Sequence, residues 1–288
     1  MTKLLKNGRQ WVALICAGLT ASLIVQPALS DENAELSIDG VEIVTKTAAP
    51  EDHPLDEILS GWRFRSVETQ ALQTDDFDNP GFTAVDYGAE LWDTAEGSSG
   101  KSCASCHGAA EDSMKGLRAS MPKWHEGEGT LMTLEDHINW SRKEHQGAEP
   151  WKWESSEMLA MTAYLGLQSR GMAVDVKVDG PAAEWFDKGK DLYYTRVGQL
   201  DMACSNCHED NYGNMIRADH LSQGQINGFP TYRLKWQGLG SIHRRFSGCM
   251  KNIRAVPYKR GSDEFTALEL YLAWRGAGLS VETPAVRQ

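Results

Sequence analysis

Apolar positions along this chain fall into one unbroken run followed by a pattern that occurs twice. The run extends from Trp11 to Val25, behind Lys3, Lys6 and Arg9 and ahead of Pro27-Ala28-Leu29-Ser30. At about 15 residues it is shorter than the roughly 20 a spanning helix needs. A basic start and a small-x-small end at Ala28 and Ser30 have the form of a signal peptide cleaved after Ser30. Cys16 lies mid-run behind Ile15 and does not have the placement of a lipid-anchored cysteine. Residues 1–30 therefore read as a leader, and the expected location is the periplasm. Past the leader, Gly88-Ala89-Glu90-Leu91-Trp92 predicts an opening helix and Met158 to Leu165 a closing one, stopped at Arg170-Gly171. Gly189-Lys190-Asp191-Leu192-Tyr193 and Phe265 to Trp274, stopped at Arg275-Gly276, repeat the pattern. In both closing segments apolar residues recur at helical intervals and glycine follows as a stop.

Composition narrows the class. With 41% hydrophobic and 24% charged residues, 288 residues suffice for one large or two small globular domains. The formal charge is −11, and cleavage of the leader removes three basic residues and takes it to −14. That balance disfavours nucleic acid and anionic membrane as partners. Ten tryptophans are many for this length and call for a large flat apolar object to enclose.

Cysteine spacing supplies that object. Of six cysteines, five follow the leader, and four form Cys103-Ala104-Ser105-Cys106-His107 and Cys204-Ser205-Asn206-Cys207-His208. A single C-x-x-C in a cytosolic chain reads as a zinc half-site or a redox dithiol. Two C-x-x-C-H motifs in an exported chain read as attachment sites for two covalent haem c groups. Two thiols three apart on a turn can add to the two vinyl groups of one porphyrin, and the adjoining histidine then faces iron. Cys103, Cys106, Cys204 and Cys207 are thus the thioether positions, with His107 and His208 the proximal ligands. A glycine before an apolar-aromatic pair, upstream of such a motif, resembles the first helix of class I cytochrome c domains. The expected fold is all-α: two tandem class I cytochrome c-like domains with long loops, at 75–175 and 176–288, joined near Val174–Gly180. Residues 31–74 form an N-terminal extension, anchored at Gly61-Trp62-Arg63-Phe64.

Cys249 is left over, in Arg244-Arg245-Phe246-Ser247-Gly248-Cys249-Met250. By residue type it reads as a buried free thiol, an intermolecular disulfide partner, or the distal iron ligand that the second domain needs after His208. Met215 and Met250 compete for that last role, and either would make an ordinary electron carrier. Two arginines beside a thiol favour the thiolate and attract an anion. On a helix, Arg245 and Cys249 share a face as an i, i+4 pair.

Longer stretches carry a resemblance. Ala148-Glu149-Pro150-Trp151-Lys152-Trp153-Glu154-Ser155, Asn227 to Leu234, Leu239 to Phe246 and the tail Val281 to Arg287 resemble the SoxA family of SoxAX cytochromes, over essentially the whole exported chain. The resemblance implies an L-cysteine S-thiosulfotransferase that joins thiosulfate to a cysteine of a SoxYZ-type carrier. It implies electron flow to the monohaem cytochrome SoxX and a soluble cytochrome c. Cys249 becomes the persulfide-bearing catalytic ligand of the second haem, and Arg245 the substrate contact.

One departure stands out. The family's dihaem members usually carry Ile-Asn-x-Cys-Arg, whose cysteine is the distal ligand of the first haem. Here the stretch is Ile138-Asn139-Trp140-Ser141-Arg142. A serine hydroxyl is a poor iron ligand, so His145, then His137, Met132 or water, are the alternatives. Other readings of the whole chain are a dihaem thiosulfate dehydrogenase, a cytochrome peroxidase, which leaves Cys249 without a role, and a plain dihaem electron carrier.

Overall fold

The computed structural model describes residues 35–288, so the leader expected at 1–30 lies outside the described residues. In chain order the helices are α1 (Val67–Ala71), α2 (Phe82–Asp93), α3 (Ala104–His107), α4 (Ala110–Ser113), α5 (Leu134–Ser141), α6 (Ser156–Leu167), α7 (Ala183–Tyr194), α8 (Cys204–His208), α9 (Ile242–Asn252) and α10 (Asp263–Arg275). Two close helix crossings organise them. Helix α2 packs on α6 and α7 on α10, and both crossings are made at the glycines that open the sequence pattern. A Cβ at Gly88 would run into the Ala160 carbonyl, and one at Gly189 into that of Ala267. Glycine within a helix costs about 0.5–1 kcal/mol relative to alanine; here it lets two helix backbones touch.

Each crossing closes an apolar core. One gathers Trp92, Met121, Leu134, Ile138, Met158 and Met161, with Cys103 and Tyr164 at its edge. The other gathers Tyr193, Ile226, Phe246, Phe265, Leu270 and Tyr271, with Cys204 and Met250 at its edge. Trp62, in the 3-10 turn Gly61–Phe64, packs with Leu36, Ile38 and Ile43 of the extension.

A strictly all-α fold is not what forms. Eleven short strands make five small sheets among the described residues: β1 (Leu36–Ile38) with β2 (Val41–Ile43), β3 (Lys46–Ala48) with β4 (Glu57–Leu59), β5 (Lys123–His125) with β6 (Thr130–Met132), β7 (Met215–Ile216) with β8 (Asp219–His220), and β10 (Gly238–Gly240) beside β9 (Thr231–Arg233) beside β11 (Ala285–Arg287). The two-stranded pairs are local antiparallel hairpins of two or three residues a strand, too short to show an alternating pattern in sequence. Strand β11 runs parallel to β9, with Val286 opposite Tyr232. The fully buried Glu282 just before β11 meets Ser60, Gln73, Asn227 and Arg287, with the last bond 2.5 Å. The tail thus ties the extension to the second half.

Between the halves lies a buried polar cluster. His243, at 0% exposure, accepts the Gly261 N–H at Nδ1 (3.0 Å), so its proton sits on Nε2, 3.2 Å from Glu269 Oε2. Trp153 stacks on its ring at 4.4 Å, and Arg118 lies 4.0 Å from the other Glu269 oxygen. Glu135 of α5 shares a small cavity with Arg118 and Glu269. Burial first, then the Glu269 charge, push its carboxyl up to about 8.

Candidate catalytic and haem sites

The second C-x-x-C-H lies on α8, one short turn that brings Cys204, Cys207 and His208 together at the edge of the second core. His208 Nδ1 is 2.7 Å from the Ser222 carbonyl, which can only accept, so Nδ1 carries a proton and Nε2 is the ring atom left for other partners. Such a second bond is how metal-ligating histidines are oriented. Gly224, with φ +81°, passes under the same ring; a Cβ there would sit 3.0 Å from His208 Cγ.

Cys249 comes to this histidine from α9. The helix starts at Ser241, whose hydroxyl accepts the Arg244 N–H at 3.2 Å, and Cys249 is its eighth residue. Burial would raise the thiol. The Arg245 charge, a hydrogen bond with His208 and the His208 and Arg233 charges outweigh burial and bring it to about 6. The thiols of Cys103, Cys204 and Cys207 move the other way, all three chiefly through burial, Cys204 up to about 12. Imidazole and thiol facing each other beside a C-x-x-C turn are a donor set that fits haem c.

The arginine pair beside Cys249 is split in the fold. Arg244 packs over Trp236 at 4.3 Å and lies 3.8 Å from Glu154. Arg245 makes no ion pair among the described residues, and its charge acts on Cys249 and Cys207. Behind it lie two further cations that sequence reasoning missed. Arg65 pairs with Asp219, and Arg233 lies 3.4 Å from the other Asp219 oxygen. Burial and neighbouring arginine charges lower Arg65 to about 9 and Arg233 to about 10. Arg65 comes from the N-terminal extension, so no local pattern could have put it here. Met215 is an exposed residue of β7, and Met250 is half-buried against the second core.

The first C-x-x-C-H occupies α3, where Trp92 flanks His107 at 5.8 Å and donates to the Gly108 carbonyl at 3.0 Å. Gln146 Nε2 approaches the Cys103 sulfur at 3.9 Å. Apolar walls from Trp92, Met121 and Ile138 fit a porphyrin here as well. Ser141 ends α5 and leads into a π-helical turn, Arg142–Gln146. His145 is exposed, its ring edge-on to Trp140 at 4.9 Å. His137 is half-buried, 5.4 Å from the His125 ring, and burial with the Lys123 and His125 charges lowers it to about 4. Met132 is buried at the end of β6. No hydrogen bond or ring contact joins any of these three to His107 among the described residues.

Residues 87–174 match the model of the SoxA/TsdA cytochrome c domain. The L-cysteine S-thiosulfotransferase subunit SoxA of Pseudaminobacter salicylatoxidans is 54% identical over 88% of this chain and 89% of its own length. The SoxA subunit of Paracoccus pantotrophus is 57% identical over 86% of each chain. A chain in the crystal structure of SoxXA from P. pantotrophus superposes with TM-score 0.84 at 56% identity, covering 88% of this chain and 97% of that one.

Proposed function

Because the chain belongs to the SoxA family of L-cysteine S-thiosulfotransferase subunits, we propose that it joins thiosulfate to a cysteine of a SoxYZ-type carrier and that the chemistry takes place at Cys249. The outer sulfur of thiosulfate and the carrier sulfur form a new S–S bond; one thiol proton and two electrons leave. The observation that carries this reading is Cys249 hydrogen-bonded to His208 and one helical turn from Arg245, an arginine whose charge acts on the thiol and which has no carboxylate partner among the described residues. Thiosulfate is a small dianion, and a guanidinium holds sulfonate oxygens through paired N–H donors. With its oxygens on Arg245, the outer sulfur is turned toward Cys249. A sulfur bound to Cys249 can pass to the carrier by thiol–disulfide exchange: the carrier thiolate attacks it and Cys249 leaves as thiolate. His208 is held in one tautomer by Ser222 throughout. Cys204 and Cys207 would attach haem and His208 and Cys249 would ligate it, and the group would supply a one-electron acceptor.

We read residues 75–175 and 176–288 as two haem-bearing domains, the first attaching its group through Cys103, Cys106 and His107. SoxX is the expected partner and next acceptor, followed by a soluble cytochrome c. The pattern of residues 1–30, read as a leader, supports a periplasmic protein, and no helix among the described residues is long and apolar enough to cross a membrane.

The test is Cys249→Ala and Cys249→Met in the haem-bearing complex with SoxX. Both should keep two covalent haems by intact mass, lose the thiolate-type spectrum of one haem, and lose carrier-dependent cytochrome reduction by thiosulfate. Full turnover by Cys249→Met, which still ligates iron but holds no second sulfur, would leave only electron carriage. Tetrathionate formed without the carrier would make the chain a thiosulfate dehydrogenase.

A further inference from the structure

The two halves repeat the scaffold around their distal helices residue for residue. Strands β5 and β6 pair as Lys123 with Met132 and His125 with Thr130; β9 and β10 pair as Thr231 with Gly240 and Arg233 with Gly238. Immediately after each second strand a hydroxyl residue, Thr133 or Ser241, caps the helix that follows. Of the matched positions that differ in kind, three concern the thiol. The third residue of the first strand is His125 in one half and Arg233 in the other. The fourth helical residue is His137 against Arg245, and the eighth is Ser141 against Cys249. Cys249 and Arg245 are the thiol and the anion contact of the reading above, and Arg233 holds the strand position whose counterpart, His125, lies 5.4 Å from the His137 ring at the position matching Arg245.

Its surroundings point the same way. Arg233 and Arg245 are the two guanidiniums whose charges act on the Cys249 thiol, and each lies within electrostatic reach of the other. Arg233 is fixed: its Nε donates to the Gln288 carbonyl at 2.7 Å, Nη2 lies 3.4 Å from Asp219, and the guanidinium sits 5.1 Å from the Trp236 ring. Nη1 makes no bond among the described residues. The fold holds two like charges together at Cys249, with Asp219 shared between Arg233 and Arg65, and that arrangement is favourable when an anion binds between them.

We infer that Arg233 is a second guanidinium of the anion clamp at Cys249 and that it gives the site its preference for a dianion. Arg245 carries the first negative charge and Arg233 the second. The inference rests on the thiosulfate reading and deepens it.

The test measures carrier-dependent cytochrome reduction by the holo complex of Arg233→Gln. Sulfate, a dianion, and methanesulfonate, a monoanion of the same tetrahedral shape, serve as competitive inhibitors. Loss of one of two charge-assisted contacts should raise the KM for thiosulfate and the Ki for sulfate about tenfold each, with methanesulfonate changed by less than about threefold. The haem absorption spectrum should not move. Arg233→Lys should recover part of the sulfate preference, because charge survives without the fork. Asp219 keeps Arg65 in either variant, so no buried carboxylate is stranded. If the two inhibitors shift alike, or neither shifts, Arg233 is a scaffold residue and the inference falls. If instead Cys249→Met turns over fully, the thiosulfate reading itself fails, whatever Arg233 does.

Discussion

Replacing Glu135 by Gln should stabilise the protein at alkaline pH and leave it nearly unchanged in acid. Glu135 is the second residue of α5, 7% exposed, in a cavity between the two halves. Burial is the largest cause of its raised pKa, the Glu269 charge adds to it, and Arg118 opposes. The acid form is therefore the one the folded protein prefers. Below pH 4.5 the carboxyl is protonated in folded and unfolded chains alike. Between 4.5 and about 8 the unfolded chain gives up the proton and the folded one keeps it, so stability falls as pH rises. Above that window the folded protein ionises too and the penalty is constant. At about 1.4 kcal/mol per pH unit, the window caps the effect at about 5 kcal/mol, and Glu269, which shares the cavity, reduces it to about 3 kcal/mol. Glutamine keeps the shape of the neutral acid without the ionisation. For a chain of this size about 3 kcal/mol corresponds to about 6–12 °C in Tm. Thermal unfolding of the haem-bearing protein by far-ultraviolet circular dichroism should show a gain of this order for Glu135→Gln at pH 8.5, and about 2 °C or less at pH 5. A gain of equal size at both pH values, or a loss at pH 8.5, would refute the buried-acid argument.

Two more outcomes follow from the repeat. Ser141→Cys restores a thiol at the position matching Cys249, so electron paramagnetic resonance should pass from one thiolate-type low-spin signal to two; two such signals in the unaltered protein would contradict the matching. Gly189→Ala gains about 1 kcal/mol of helix propensity, but its Cβ meets the Ala267 carbonyl, a backbone atom that cannot swing aside. Overpacking of this kind costs about 1–3 kcal/mol, so Tm should fall by several degrees, and an unchanged or raised Tm would mean that α7 and α10 do not cross there.

What could be read without the fold depended on local spacing. C-x-x-C-H needs its thiols and imidazole within one turn, so Cys103 to His107 and Cys204 to His208 carry their meaning in five residues each. The closing helices, apolar at helical intervals, form as α6 and α10. The strands were not legible, because the hairpins are two or three residues a side, and β11 finds β9 only once the tail has crossed the molecule. Likewise His145, one turn from Ser141 in sequence, ends on the surface against Trp140.

The sequence by itself determined the chemistry on offer: two C-x-x-C-H turns, a fifth thiol with arginines beside it, and a serine at the first-half position that matches this thiol. Those are properties of residue type and short spacing, which no folding step alters. Tertiary structure decided which of those groups act together. It left Arg245 at Cys249 without a carboxylate partner among the described residues and gave its neighbour Arg244 to Glu154 and Trp236. It also brought in Arg233 from a strand and Arg65 from the extension. Charges interact through space at distances a chain can close from any separation, so the electrostatics of the site belonged to the fold, while the identity of its reactive atoms was already in the sequence.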